Sequence, residues 1–133
     1  MKKFNFSLLL IIISGLVLSI SSCTSKTEKA ETICKEFLTA YFTADYTTAM
    51  TYCTPEMASQ INKATENYQD LEQRIKDDLI KANKNIDKKI ISSKVIDDSK
   101  IQVIYTLKYP GKKATKNGMT LIKIDGKLLI SNF

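Results

Sequence analysis

Ile101-Gln102-Val103-Ile104-Tyr105-Thr106-Leu107-Lys108-Tyr109 sets apolar side chains on every odd position, with Gln102, Thr106 and Lys108 among those between them. Successive side chains of a strand point to opposite faces, so this period of two predicts a strand with one face turned to a core. Downstream, Pro110-Gly111 opens a basic loop that runs to Asn117-Gly118, and Met119–Ile124 is the next expected strand. Asp125-Gly126 fits a tight two-residue hairpin, and Lys127–Phe133 is the last strand. Upstream, Asp97-Asp98-Ser99 turns the chain back on a first candidate strand, Lys89–Ile96. Four strands with short connections predict an antiparallel meander.

Before Asn85 the period is helical. Ala30, Ile33, Cys34, Phe37, Leu38, Tyr41 and Ala44 form a wide apolar stripe, and Ser25-Lys26-Thr27-Glu28 has capping-box spacing at its start. Asp45 interrupts the stripe and caps a short second helix with an apolar face of Tyr46, Ala49, Met50 and Cys53. Thr54-Pro55-Glu56 starts a third helix: a hydroxyl cap, proline at the first helical position, and an acid at the positive end. Its apolar positions, Met57, Ile61, Ala64, Tyr68, Leu71, Ile75 and Leu79, predict one long helix. Asp70 with Arg74, Glu72 with Lys76, and Asp77 with Lys81 read as i,i+4 pairs on its solvated face. The four-three spacing also fits a coiled coil, but the sparse branched residues favour packing on the chain's own sheet. The expected fold class is therefore α+β, with three N-terminal helices packed on a curved four-stranded antiparallel meander.

The N-terminus carries an address. Met1-Lys2-Lys3 precedes an apolar run from Phe4 to Ile20, which ends Ile20-Ser21-Ser22-Cys23. A basic n-region and an apolar h-region make a signal peptide. The aliphatic-small-small-cysteine ending resembles the bacterial lipobox, whose cysteine is acylated on sulfur and becomes the new N-terminus after cleavage. The run is slightly short for a spanning helix and is broken by Ser14-Gly15. The expected organisation is a signal peptide over 1–22 and a single domain over 23–133, lipidated at Cys23 and tethered to a membrane of the cell envelope. Thr24-Ser25 lacks the acidic residue that retains some lipoproteins at the inner membrane, which favours the outer one.

Composition narrows the chemistry. Of 133 residues none is histidine, which removes the commonest general base and a common metal ligand, and excludes Ser-His-Asp and Cys-His catalysis. No Gly-rich phosphate loop or calcium-loop spacing is present, so neither a cofactor nor a metal is expected. The formal charge is +6, and loss of Lys2 and Lys3 with the signal leaves +4. An exported chain rarely meets nucleic acid, so this balance serves solubility, anionic lipid headgroups or acidic partners. The basic loop Lys112-Lys113-Ala114-Thr115-Lys116, with Lys108 before it, is either a headgroup contact or a solvated edge that discourages strand pairing.

Cys34 and Cys53 remain once Cys23 is lipidated, an even count in an oxidising compartment. With a hinge near Ala44-Asp45, the rise of about 1.5 Å per residue places both thiols at similar heights if the helices fold back antiparallel. A Cys34–Cys53 disulfide is expected on that geometry. The alternative is two buried thiols acting as small hydrophobes.

Three segments carry a resemblance. They are Phe37-Leu38-Thr39-Ala40-Tyr41 with Asp45-Tyr46-Thr47-Thr48-Ala49, then Tyr52-Cys53-Thr54-Pro55-Glu56, and the closing Leu121-Ile122-Lys123-Ile124-Asp125-Gly126-Lys127-Leu128-Leu129-Ile130. In this order they resemble the nuclear-transport-factor-2-like superfamily, the cystatin-like cone, and more narrowly small bacterial lipoproteins of a lumazine-binding-like type. The likeness spans residues 27–133. It departs at Leu128, where that family usually has a tryptophan, and so removes one aromatic wall from a pocket. The resemblance implies a cone whose interior Phe37, Tyr41, Tyr68 and Tyr105 could line for a small apolar ligand; the alternative is that aromatic residues at such spacing are plain core. Some members are isomerases or hydrolases. Without histidine, an isomerase-type enzyme here would need Asp45 or Asp70 as base with Tyr41, Tyr68 or Tyr105 as donor. Binding needs only a shaped surface, so the expected function is a non-catalytic module for another envelope protein or a small apolar ligand.

Overall fold

A computed structural model describes residues 26–133; the expected signal peptide, 1–22, and Cys23 lie outside the described residues. Helix α1 runs over residues 26–42, α2 is Tyr46–Thr51 and α3 is Pro55–Thr65. A 3-10 turn, Glu66–Tyr68, leads to α4, Gln73–Lys84. Strands β1 Asp87–Asp97, β2 Lys100–Lys108, β3 Thr115–Ile124 and β4 Lys127–Asn132 follow as one antiparallel sheet in the order β1-β2-β3-β4. The fold is α+β, as the alternation and periodicity of the sequence predict.

The caps form as the sequence specifies. The Asp45 carboxylate accepts from the Thr48 N–H, and the buried Thr54 hydroxyl accepts from the Met57 N–H ahead of Pro55. Both residues of the Asp125-Gly126 turn have positive φ, 49° and 79°, which a two-residue hairpin of matching twist requires. Pro110-Gly111 makes a turn in which Lys112 N–H bonds Tyr109 C=O and Gly111, at φ 70°, takes the left-handed position.

The core lies between α1 and one face of the sheet. Ala30, Cys34, Phe37 and Leu38 of α1 meet Ile101, Val103 and Tyr105 of β2, Met119 and Leu121 of β3, and Ile130 of β4. Along β2 the odd positions Ile101, Val103 and Tyr105 are buried and the even ones are not. Met57 and Ile61 of α3 join this core, and Leu128 packs at its margin. The far edge of β4 is covered: Thr54 N–H bonds Ile130 C=O and Ile130 N–H bonds Tyr52 C=O, a parallel bridge centred on Cys53. The β1 ladder slips between Ile90 and Ser92, so Ile91 bulges out and is 54% exposed.

The expected single long third helix is two helices. Its middle, Thr65-Glu66-Asn67-Tyr68-Gln69-Asp70, holds four weak helix formers. Thr65 leaves helical geometry, its hydroxyl bonding back to Ile61 C=O, and Glu72 is extended at ψ 144°. The break sets Tyr68 edge-on against Tyr46, ring centroids 5.3 Å apart. Beyond it α4 buries no residue, and Ile75 and Leu79 are 39% and 42% exposed, so the expected packing of this apolar stripe on the sheet ends with α3.

The expected i,i+4 ion pairs also change with the break. Asp70 and Glu72 precede α4, Lys76 donates to the Gln69 carbonyl, and Asp77 accepts from Gln73. Among the described residues the ion pair that forms is Lys89–Asp87, on the surface.

Candidate functional site

Phe37, Tyr41, Tyr68 and Tyr105 were the sequence candidates for a pocket, and the fold gathers them at one end of the domain. Phe37, one turn before Tyr41 on α1, stacks on it at 5.7 Å between centroids. The Ala44-Asp45 hinge folds α2 back so that Tyr46 meets Tyr41 edge-on at 5.6 Å, and Tyr46 in turn meets Tyr68. Phe133, at the end of β4, closes on both Phe37 and Tyr41, at 4.7 and 5.1 Å. Phe42 flanks Tyr41.

Tyr105 enters from β2, 4% exposed, and its hydroxyl lies in the field of Cys34, Tyr109 and Tyr41. Sequence reading missed Tyr46, Phe42 and Phe133 as members of this cluster. Their signal was present for Tyr46, which the same hinge that returns α2 must bring back to α1.

Burial decides what these phenols can do. Desolvation raises the pKa of Tyr41, Tyr46 and Tyr105, and repulsion from neighbouring phenolates, preceded at Tyr105 by that of Cys34, adds to it. Each stays protonated at neutral pH and can donate a hydrogen bond, but none is a base there. The proposed carboxylate partners point elsewhere: Asp45 is spent as the cap of α2, and Asp70 is exposed in the turn before α4. A carboxylate does stand near a tyrosine at Tyr52, whose pKa is raised first by the neighbouring Glu36 and then by burial. Thr54 is the buried polar residue among those described. No cluster of three metal-ligating side chains converges among the described residues.

Open clefts lie along α1. One of about 340 Å³ is lined by Glu28, Glu31, Thr32, Lys35 and Ile90, and the neighbouring one of about 290 Å³ by Lys35, Leu38, Thr39, Lys88 and Ile90. Glu31 accepts a hydrogen bond from Ser93 and so ties α1 to β1. A third cleft, about 240 Å³, lies at the N-terminal end of α1 between Lys26, Lys29, Lys123, Asp98, Ile101, Gly126 and Leu128. Phe37, Tyr41, Tyr68 and Tyr105 line none of these three.

The expected disulfide does not form: Cys34 and Cys53 are both buried free thiols. Cys34 faces Tyr105 on β2, whereas Cys53 is bridged to Ile130 on β4 and directs its thiol to Ala49 C=O. Those strands stand either side of β3, so two inter-strand spacings, about 10 Å, separate what the thiols pack against. Burial, and for Cys34 also Glu31, pushes the thiols up to about 12 and about 11. They behave as small hydrophobes, not nucleophiles.

No family model and no curated protein matches the chain. Solved structures do. A nuclear-transport-factor-2-like protein of unknown function from Shewanella oneidensis MR-1 aligns at TM-score 0.53 and 15% identity, over 80% of this chain and 94% of that one. A protein from Campylobacter jejuni, described as a candidate nuclear-transport-factor-2-like transpeptidase, aligns at TM-score 0.53 and 14% identity, over 78% and 98%. Likeness at such identity speaks for the backbone alone. With helices packed on a four-stranded antiparallel sheet and these neighbours, the chain has the nuclear-transport-factor-2-like fold.

Proposed function

We propose that this is a protein of the bacterial envelope, lipid-anchored at Cys23, whose domain is a non-catalytic module binding an envelope protein or a small apolar ligand. The observation that carries the non-catalytic reading is the filled interior. Where an enzyme of this shape needs a cavity with a tuned carboxylate, Phe37, Val103, Met119, Leu121 and Ile130 occupy the space, all at 0% exposure. Asp45 and Asp70, the bases an isomerase-type mechanism would need, both lie at the surface. The transpeptidase description of one structural neighbour belongs to a chain 14% identical and transfers no activity.

The anchoring reading is supported by Ile20-Ser21-Ser22-Cys23 after the apolar run. Its test is Cys23→Ala in the native host. The expected result is uncleaved precursor held at the inner membrane, and normal processing of the variant would refute the tether. The binding reading is tested by thermal unfolding against a panel of apolar amphiphiles and of purified envelope proteins. A bound ligand raises Tm with its concentration. Turnover of a small carbonyl substrate, lost in the Tyr41→Phe and Tyr105→Phe variants, would instead establish the enzyme.

A further inference from the structure

The cleft of Lys26, Lys29 and Lys123 brings together the N-terminal end of α1 and both hairpin turns, Asp98 from β1–β2 and Gly126 from β3–β4. Lys123 N–H bonds Ser99 C=O, which locks the first turn to β3. Strands β2 and β4 leave this end and run to the opposite one, where Phe42 of α1 lies beside Lys88 and the Lys112-Lys113 loop joins β2 to β3. Helix α1, residues 26–42, spans about 25 Å between the two ends. From Cys23 to Lys26 is three residues, a reach of at most about 10 Å.

We propose that the end of the domain bearing this cleft is seated on the membrane, and that Lys26, Lys29 and Lys123 hold the phosphate of an anionic phospholipid headgroup. This rests on the lipid tether at Cys23. A tether so short cannot let the far end reach the bilayer without laying the domain flat, so the lysine-rich loop is turned away from the membrane. Three ammonium groups against the single carboxylate of Asp98 give the cleft the sign a phosphate requires. Of the acids in the neighbouring turn, Asp97 is occupied, accepting from both the N–H and the hydroxyl of Ser99. Ile101 and the half-buried Leu128 form an apolar floor beside the charges, suited to the glycerol end of a lipid.

The test is amine labelling of the processed full chain, read lysine by lysine from peptide masses. The chain is placed in phosphatidylglycerol vesicles, in phosphatidylcholine vesicles and in neutral detergent micelles with and without inorganic phosphate. The expected result is labelling of Lys26, Lys29 and Lys123 several-fold slower in phosphatidylglycerol than in phosphatidylcholine or micelles. Lys112, Lys113 and Lys116 keep their micelle rates. In the variant carrying Lys26→Glu with Lys29→Glu, both exposed positions, Lys123 returns to its micelle rate. Equal slowing at both ends, slowing of the loop alone, or no slowing would overturn the seating, and slowing by inorganic phosphate alone would overturn the lipid as ligand. The mass of the N-terminal peptide separates the two readings. A lipid on Cys23 without selective slowing refutes the seating alone, and a chain without the lipid refutes the tether and the seating with it.

Discussion

Ala44 is a residue out of place, and replacing it is a sharp test of the helical hairpin. It stands between α1 and α2 at φ 60°, in the left-handed region. Asp45 N–H donates to Ala40 C=O and Ala44 N–H to Tyr41 C=O, the paired bonds that end a helix around a left-handed residue. There a Cβ crowds the following carbonyl, at a cost of about 1–2 kcal/mol that glycine avoids. Against that gain, glycine loosens the unfolded chain by about 0.4–1 kcal/mol. Losing the half-buried methyl forfeits a further ~0.4 kcal/mol. The balance is a stabilisation of roughly 0.5 kcal/mol for Ala44→Gly, or about 2–4 °C in Tm for a domain of this size. Ala44→Val, β-branched in the same conformation, is expected to destabilise by at least about 1 kcal/mol. Urea and thermal unfolding at one pH give both values, with the urea slope unchanged. If glycine lowers Tm, or glycine and valine shift it in the same direction, the hinge geometry is refuted.

Phe37→Ala, which empties the centre of the α1–sheet core, is expected to cost about 3–5 kcal/mol in urea unfolding; a cost below about 1 kcal/mol would mean that α1 is not packed as described. Both thiols should react in the unfolded, non-reduced mature protein and neither in the native one at pH 8; a count of zero on unfolding would restore the disulfide. Cys34 has a folded pKa raised from 9.0 to about 12, so its contribution is full below about pH 9 and is lost as pH rises toward 12. Tm of the wild type should therefore fall more steeply above pH 9 than that of Cys34→Ala, and parallel curves would contradict it. Leu79→Lys, at a position 42% exposed on α4, should change stability by less than about 1 kcal/mol, and a larger loss would show that α4 packs on the domain.

The sheet was legible because each of its signals is local. Asp125-Gly126 can only be a tight turn with positive φ, and the alternation survives as the buried face of β2 from Ile101 to Tyr105, with Leu107 half-buried and Tyr109 exposed past the strand's end. The third helix was misread because its signal is also local but incomplete. Four-three spacing continues from Met57 to Leu79 across a stretch whose Thr65, Asn67, Tyr68 and Asp70 disfavour helix, and periodicity does not register propensity. Tyr68 keeps its place in the pattern yet packs on α2, through a turn the pattern does not contain.

The candidate site was legible only where helix geometry alone fixes it. Phe37 and Tyr41, four residues apart on α1, had to share a face, and they stack. Phe133 depends on which end of β4 meets which end of α1, a fact of topology that no spacing within either element carries. The cysteines show the same limit more sharply. Counting rise along two helices placed the thiols at matching heights, but height is one coordinate of three. The sheet supplied the others by holding Cys34 over β2 and pinning Cys53 to β4 through the Ile130 bridge. The basic residues follow the same logic. The sequence's densest run of lysine lies at the β2–β3 loop, while Lys26, Lys29 and Lys123, nearly a hundred positions apart at the extremes, converge only once the meander brings both hairpin turns under the start of α1.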